Sequence, residues 1–203
     1  MSQPQTSRAA ETGSAPDKAE AVCPIKIGSE IPKLTLQTPE GKAFDLRAAV
    51  ARKPTVLVFY RGGWCPYCNL QLGQLQTVEA SLLKLGYQVL AVSPDTPAEL
   101  SKSIGKNGLK YTLLSDSTMM AARALGIAFR VDDTTTKKHK DYGIDLEKSS
   151  GQKHRLLPVP AVFVLDTKGI VQFSYVNPNY KVRLAPKVLL AAAQAALPQP
   201  AGR

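Results

Sequence analysis

The sequence predicts an α/β fold, a central mixed sheet flanked by helices and preceded by a hairpin, and three observations carry that prediction. Two continuous apolar runs, residues 55–60 and 88–92, lack alternation and read as strands buried on both faces of a parallel sheet. The first leads into helical apolar spacing and the second into a turn and helix cap, which gives a βαβα order. Further on, residues 162–165 and 171–176 flank Asp166-Thr167-Lys168-Gly169, a turn sequence ending in glycine, so this pair runs antiparallel and makes the sheet mixed.

The elements follow in order. Residues 33–37 and 43–46 flank Thr38-Pro39-Glu40-Gly41 and suit a short antiparallel hairpin. Arg61-Gly62-Gly63 ends the strand at 55–60. From there Leu72, Leu75, Val78, Leu82 and Leu85 recur at helical spacing. After the strand at 88–92, Ser93-Pro94-Asp95-Thr96-Pro97 supplies a turn and cap for a helix that stops near Asn107-Gly108. A short strand at 112–114 leads to Asp116, which caps a helix through Met119 and Leu125 that ends at Gly126. Residues 127–155, with mixed charge and Thr134-Thr135-Thr136, fit an inserted loop or short helix better than a strand. Residues 186–197 form a closing helix, with Leu184, Val188, Leu189, Ala192 and Ala196 on one side. The expected organisation is one domain over 25–197, with a flexible tail at 1–24 and a second tail at 198–203.

Composition bounds the function. A chain of 203 residues with 44% hydrophobic content can bury a sizeable core without disulfides. Residues 1–22 are polar and hold no apolar h-region, and no run approaches the roughly 18 apolar residues of a membrane span, so a cytoplasmic protein without a membrane partner is expected. The net charge of +10 raises the question of nucleic acid. Its densest stretch, Lys137-Lys138-His139-Lys140 followed by Lys148, Lys153 and Arg155, is interrupted by Asp141, Asp145 and Glu147 and lacks stacking aromatics beyond Tyr142. That pattern reads as a solvated segment, or one that draws anionic substrates toward the site, and nucleic acid is not an expected partner.

The chemistry sits in Trp64-Cys65-Pro66-Tyr67-Cys68, where a strand hands over to a helix N-terminus. Unpaired N–H groups and the positive end of the helix dipole favour thiolate there. Cysteines at i and i+3 on a helix bring their Cβ atoms about 5 to 6 Å apart, close enough for a reversible disulfide, and both sulfurs are expected to stay open to water. Pro66 suits an opening turn because its missing N–H would have had no partner. Trp64 covers one side. Zinc would need about four ligands and finds only this pair, Cys23, His139 and His154, so neither metal nor cofactor is expected. A purely structural bridge across so short a loop would constrain little of the unfolded chain. Cys23, beside Pro24, is either a transient partner of the dithiol or an unpaired thiol. Asp95 and Asp116 read first as helix caps.

These residues resemble the thioredoxin superfamily, and Phe59-Tyr60-Arg61-Gly62-Gly63-Trp64-Cys65-Pro66-Tyr67-Cys68-Asn69-Leu70 resembles its peroxiredoxin-like branch, the alkyl hydroperoxide reductase/thiol-specific antioxidant family. Residues 90–95, 113–116 and 163–166 look like further peroxiredoxin segments in the right order, and the resemblance covers roughly residues 27–178. It implies a thioredoxin-like fold. In typical members the strand is followed by Pro-x-x-x-Thr-x-x-Cys; overlay puts Arg61 at the Pro, Cys65 at the Thr and Cys68 at the peroxidatic cysteine. The family's later arginine falls on Pro160, which instead resembles the proline that faces a thioredoxin dithiol in cis. The donor set for a peroxide is therefore incomplete, and Arg61 is either a surface arginine or its substitute.

The resemblance implies thiol-dependent reduction of hydroperoxides by a dithiol/disulfide cycle, reset by an external thiol such as a thioredoxin or glutathione system, and it allows a homodimer. Overlay makes Cys68 the first sulfur attacked and Cys65 the resolving one, whereas thioredoxin logic gives Cys65 the nucleophilic role. Both assignments stand at this point. A second reading is protein disulfide exchange, with Pro160 shaping the partner groove, and a third is a redox-responsive binding module without turnover.

Overall fold

The computed structural model describes residues 14–107, 109 and 111–197, and its chain enters the sheet through the expected hairpin: β1 (Thr35–Gln37) and β2 (Ala43–Asp45) pair antiparallel. β2 runs directly into α1 (Leu46–Arg52), a helix absent from the sequence expectation. Asp45 caps it by accepting from the Ala48 N–H at 2.9 Å. Only Leu46 and Val50 are buried, too few to show a periodicity.

β3 (Thr55–Phe59) is buried at every position, as its unbroken apolar run requires. There follow α2 (Pro66–Lys84), β4 (Gln88–Ser93), α3 (Pro97–Asn107), β5 (Thr112–Ser115) and α4 (Met120–Ala124). Asp116 serves α4 as expected, its carboxylate accepting from the Ala121 and Ala122 N–H groups at 3.0 and 2.8 Å.

Residues 127–155 hold short helices, one of the forms the sequence allows, and add a strand that it does not. They open with β6 (Ala128–Arg130), which pairs antiparallel with β7 (Leu156–Pro158), and between these strands lie α5 (Asp133–Asp141) and α6 (Leu146–Ser150). The helices are set by caps and not by an apolar stripe. Asp132 accepts from the Thr135 N–H and Asp145 from those of Glu147 and Lys148, while α5 buries only Thr136. Residues 14–24, part of the segment expected to be a tail, lie along this insert: Ala15 is buried, and the Pro16 carbonyl accepts from the Arg130 N–H at 2.8 Å.

β8 (Ala161–Leu165), β9 (Val171–Val176) and α7 (Pro186–Ala195) complete the chain. The seven-stranded sheet runs β2-β1-β5-β4-β3-β8-β9, with β3, β4 and β5 parallel and β8 and β9 antiparallel. This is the mixed sheet flanked by helices that the sequence predicts. Alternate residues of β3 face two cores: Leu57 and Phe59 pack with Leu46, Val50 and Leu125, and Val56 and Val58 with Leu72, Leu82 and Leu189. The dithiol lies in the second core. Among the described residues no helix is long and apolar enough to cross a membrane, and no three His, Cys, Asp or Glu side chains gather as a metal site.

Candidate active site

Residues 60–64 carry the chain from β3 to Cys65, which is the N-cap of α2 with Pro66 opening the first turn. The Cys68 and Asn69 N–H groups donate to the Cys65 carbonyl, each at 3.1 Å, so the two cysteines share one helical turn. Two glycines make the approach possible. Gly62 has φ +145°, and a Cβ on it would run into the Trp64 indole and the Asp95 carboxylate; at Gly63 it would overlap the Ser103 hydroxyl.

Asp95 is not the helix cap suggested by the sequence but a brace for the turn. Its carboxylate accepts from the Gly63 N–H at 2.7 Å and the Ser93 hydroxyl at 3.0 Å, and the Asn69 amide donates to the Gly63 carbonyl at 2.8 Å. The turn is thus braced from β4 and from α2. Burial raises the Asp95 pKa to about 6, against the lowering effect of the Gly63 and Ser93 hydrogen bonds. Thr96 provides the cap at α3, accepting from the Glu99 N–H at 3.3 Å.

Both sulfurs are buried, contrary to the expectation of water-exposed thiols: Cys65 is 1% and Cys68 0% exposed. They sit in the core with Tyr60, Leu72 and Leu100, and Trp64 packs over that cluster. They are not bridged to each other, and they differ. The Cys68 thiol donates to the Cys65 sulfur, which is the largest influence lowering the Cys65 pKa to about 6; burial opposes it, and the Arg61 and Arg183 charges assist. Burial and its role as donor push Cys68 well above the usual thiol range.

Sequence reasoning missed Arg183. It stands between Arg183's neighbours Val182 and Leu184 in the segment before α7, and its guanidinium donates to Cys68 Sγ and to the buried Gln71 side chain, each at 3.3 Å. A cation flanked by Val182 and Leu184 was the only signal, and its partner lies 115 positions away. Arg61, the arginine the sequence does single out, is buried and not on the surface. Its guanidinium lies 5.1 Å from the Trp64 ring centroid and 4.1 Å from that of Tyr180. One of its nitrogens contacts His139 Nε2 at 3.2 Å, and the His139 ring lies 5.6 Å from Trp64. His139 comes from α5, inside the insert.

Pro160 lines a cavity of about 280 Å³ together with Arg61, Phe129 and Tyr180. The Val159–Pro160 bond is trans, so the cis geometry considered for a partner groove is not present. A larger cavity, about 1070 Å³, lies away from the dithiol beside Cys23, Arg47 and Arg123. Cys23 is exposed and unbridged, and its neighbour Ile25 packs against the core on the opposite face of the sheet. The site residues are therefore chosen by chemistry and not by cavity size.

The chain is 33% identical over 104 residues to a putative peroxiredoxin bcp of Haemophilus influenzae, covering 51% of this chain and 66% of that protein. It is 30% identical over 171 residues to a chloroplastic peroxiredoxin Q of Triticum aestivum, covering 84% of this chain and 65% of that one. In both cases the match spans just under two thirds of the relative's length. Among solved structures, peroxidoxin BcpB of Mycobacterium tuberculosis superposes with a TM-score of 0.66 at 19% identity, over 84% of this chain and 97% of that one, which shows a thioredoxin-like fold. Residues 27–174, from the stretch before the hairpin through most of β9, match the AhpC/TSA family, and the chain belongs to that family.

Proposed function

We propose that this chain is a thiol peroxidase that reduces hydroperoxides, with Cys65 as the attacking thiolate and Cys68 as the resolving thiol. The observation that carries the assignment is the asymmetry of the pair: Cys68 donates its S–H to Cys65, whose pKa of about 6 leaves it ionised at neutral pH. In the first step the Cys65 thiolate attacks the distal oxygen of the hydroperoxide. An S–O bond forms as the O–O bond breaks, and the leaving alkoxide takes a proton and departs as an alcohol. The Cys65 sulfenic acid then condenses with the Cys68 thiol, which forms the disulfide and expels water. An external thiol returns the pair to the reduced state, so a reducing compartment suits the protein.

Arg61 and Arg183 supply the positive charge that the family overlay leaves vacant at Pro160. The two guanidinium charges, Arg183 in contact with Cys68 and Arg61 acting at longer range, favour the thiolate and stabilise the negative charge building on the leaving oxygen. Disulfide exchange with a protein partner is the second reading, and burial of both sulfurs speaks against it: a polypeptide would have to displace Trp64 or its neighbours to reach Cys65, whereas a small hydroperoxide would displace far less.

The test compares Cys65→Ser and Cys68→Ser. Cys65→Ser loses peroxide consumption by about a thousandfold or more, whereas Cys68→Ser still consumes one equivalent and accumulates a sulfenic acid on Cys65 that a dimedone adduct reveals by intact mass. Loss of that first equivalent in Cys68→Ser and its retention in Cys65→Ser would reverse the two roles. A wild type inert to hydrogen peroxide and to organic hydroperoxides, yet active on protein disulfides, would replace the peroxidase reading with the exchange reading.

A further inference from the structure

We propose that His139 is a positioning residue for Arg61, its neutral ring fixing the guanidinium beside the dithiol without cancelling the positive charge. The proposal rests on the reading of Cys65 as the reactive thiolate. Arg61 is buried, and among the described residues it takes part in no ion pair. A buried cation needs a hydrogen-bond acceptor, and a carboxylate would be the ordinary one. Such a partner would absorb the field that Arg61 exerts on Cys65. Here the acceptor is an uncharged imidazole at 3.2 Å, and the Trp64 and Tyr180 rings hold the rest of the guanidinium by their faces.

The arrangement fixes the tautomer. With Nε2 accepting from Arg61, the ring proton is on Nδ1, which is buried and has no hydrogen-bond partner among the described residues. The groups that act on the ring are Arg61 from the turn after β3, Asp132 from the start of α5, and the Trp64 ring at 5.6 Å. Burial and Arg61 hold the His139 pKa below its ordinary value, with Asp132 opposing them, so the ring is neutral where Cys65 is ionised. The capped, polar α5 thereby acquires a purpose that its lack of an apolar stripe conceals: it carries one acceptor to the edge of the site.

The experiment titrates thiolate absorbance near 240 nm in a Cys23→Ser background, and needs no peroxide, so it stands apart from any failure of the peroxidase reading. His139→Gln, which keeps an uncharged acceptor, leaves the thiolate fraction at pH 6 within about twofold of the parent. His139→Glu, whose carboxylate pairs with Arg61, lowers that fraction roughly fivefold, the result of a one-unit rise in the Cys65 pKa. His139→Leu, which provides no acceptor, falls between them. Equal titration of the Gln and Glu variants overturns the proposal, as does a Leu variant indistinguishable from the parent. If the Glu variant does not fold, the contrast between Gln and Leu decides, and equality of those two also overturns it.

Discussion

Two arginines flank the dithiol, and they reach it by opposite routes. Arg61 lies four positions before Cys65 in the turn that builds the site, held by Trp64, Tyr180 and His139. Arg183 arrives from the far end of the chain and bonds Cys68 and Gln71 directly. The first is stacked and acts on Cys65 through its charge, and the second touches sulfur. The difference teaches that positive charge reaches the pair from two positions, one local and one long-range, both lowering the Cys65 pKa while only Arg183 bonds a sulfur.

The strongest way to break this comparison is to remove both charges. Arg61→Met with Arg183→Met is expected to lower peroxide turnover by about a thousandfold, and each single change by roughly tenfold to thirtyfold. If the double variant is no slower than one of the singles, the other arginine is packing alone. Gly62→Ala attacks only the Arg61 side. A Cβ at φ +145° against the Trp64 ring and Asp95 costs about 3 kcal/mol, read as a lowered denaturation midpoint; an unchanged midpoint would show that the turn can reshape itself.

Asp95→Asn sharpens the same side by pH. Asp95 has a folded pKa of about 6, above the unfolded value near 3.9, so the native state holds its proton more tightly. Its contribution is fully present below about pH 4 and is lost as pH rises through 6, because in that window the native state binds more protons than the unfolded one. Asp116, raised to about 6 by burial, slopes the same way, so only the difference between variants is informative. The stability of Asp95→Asn is expected to fall less between pH 4 and 6.5, by about 2 kcal/mol, in urea titrations. Parallel curves for the two proteins would mean that the Asp95 carboxyl is already ionised throughout.

What was legible in the sequence was whatever is local. The buried run at 55–60, the dithiol three residues apart and the apolar stripe from Leu72 to Leu82 are neighbours in chain and in space, and each appears where expected. α1 escaped notice, and α5 went unplaced within 127–155, because Asp45 and Asp132 start them while few apolar side chains mark a buried face. Arg183 and His139 escaped for a different reason: their partners are separated from them by 115 and 78 positions, and no motif links such distances. The burial of the sulfurs was equally invisible, since it is Trp64 and the surrounding core that cover a helix terminus otherwise open to solvent.

The seven-stranded sheet has a last consequence, for the third cysteine. Cys23 is exposed beside elements that pack on one face of the sheet, while Cys65 and Cys68 lie in the core of the other. The sheet separates Cys23 from the pair, so in the proposed cycle no bridge to Cys23 within one molecule competes with that between Cys65 and Cys68. Cys23 pays for that isolation: a sulfenic acid formed on it has no internal thiol to quench it, and must be rescued by an outside thiol or advance to irreversible oxidation.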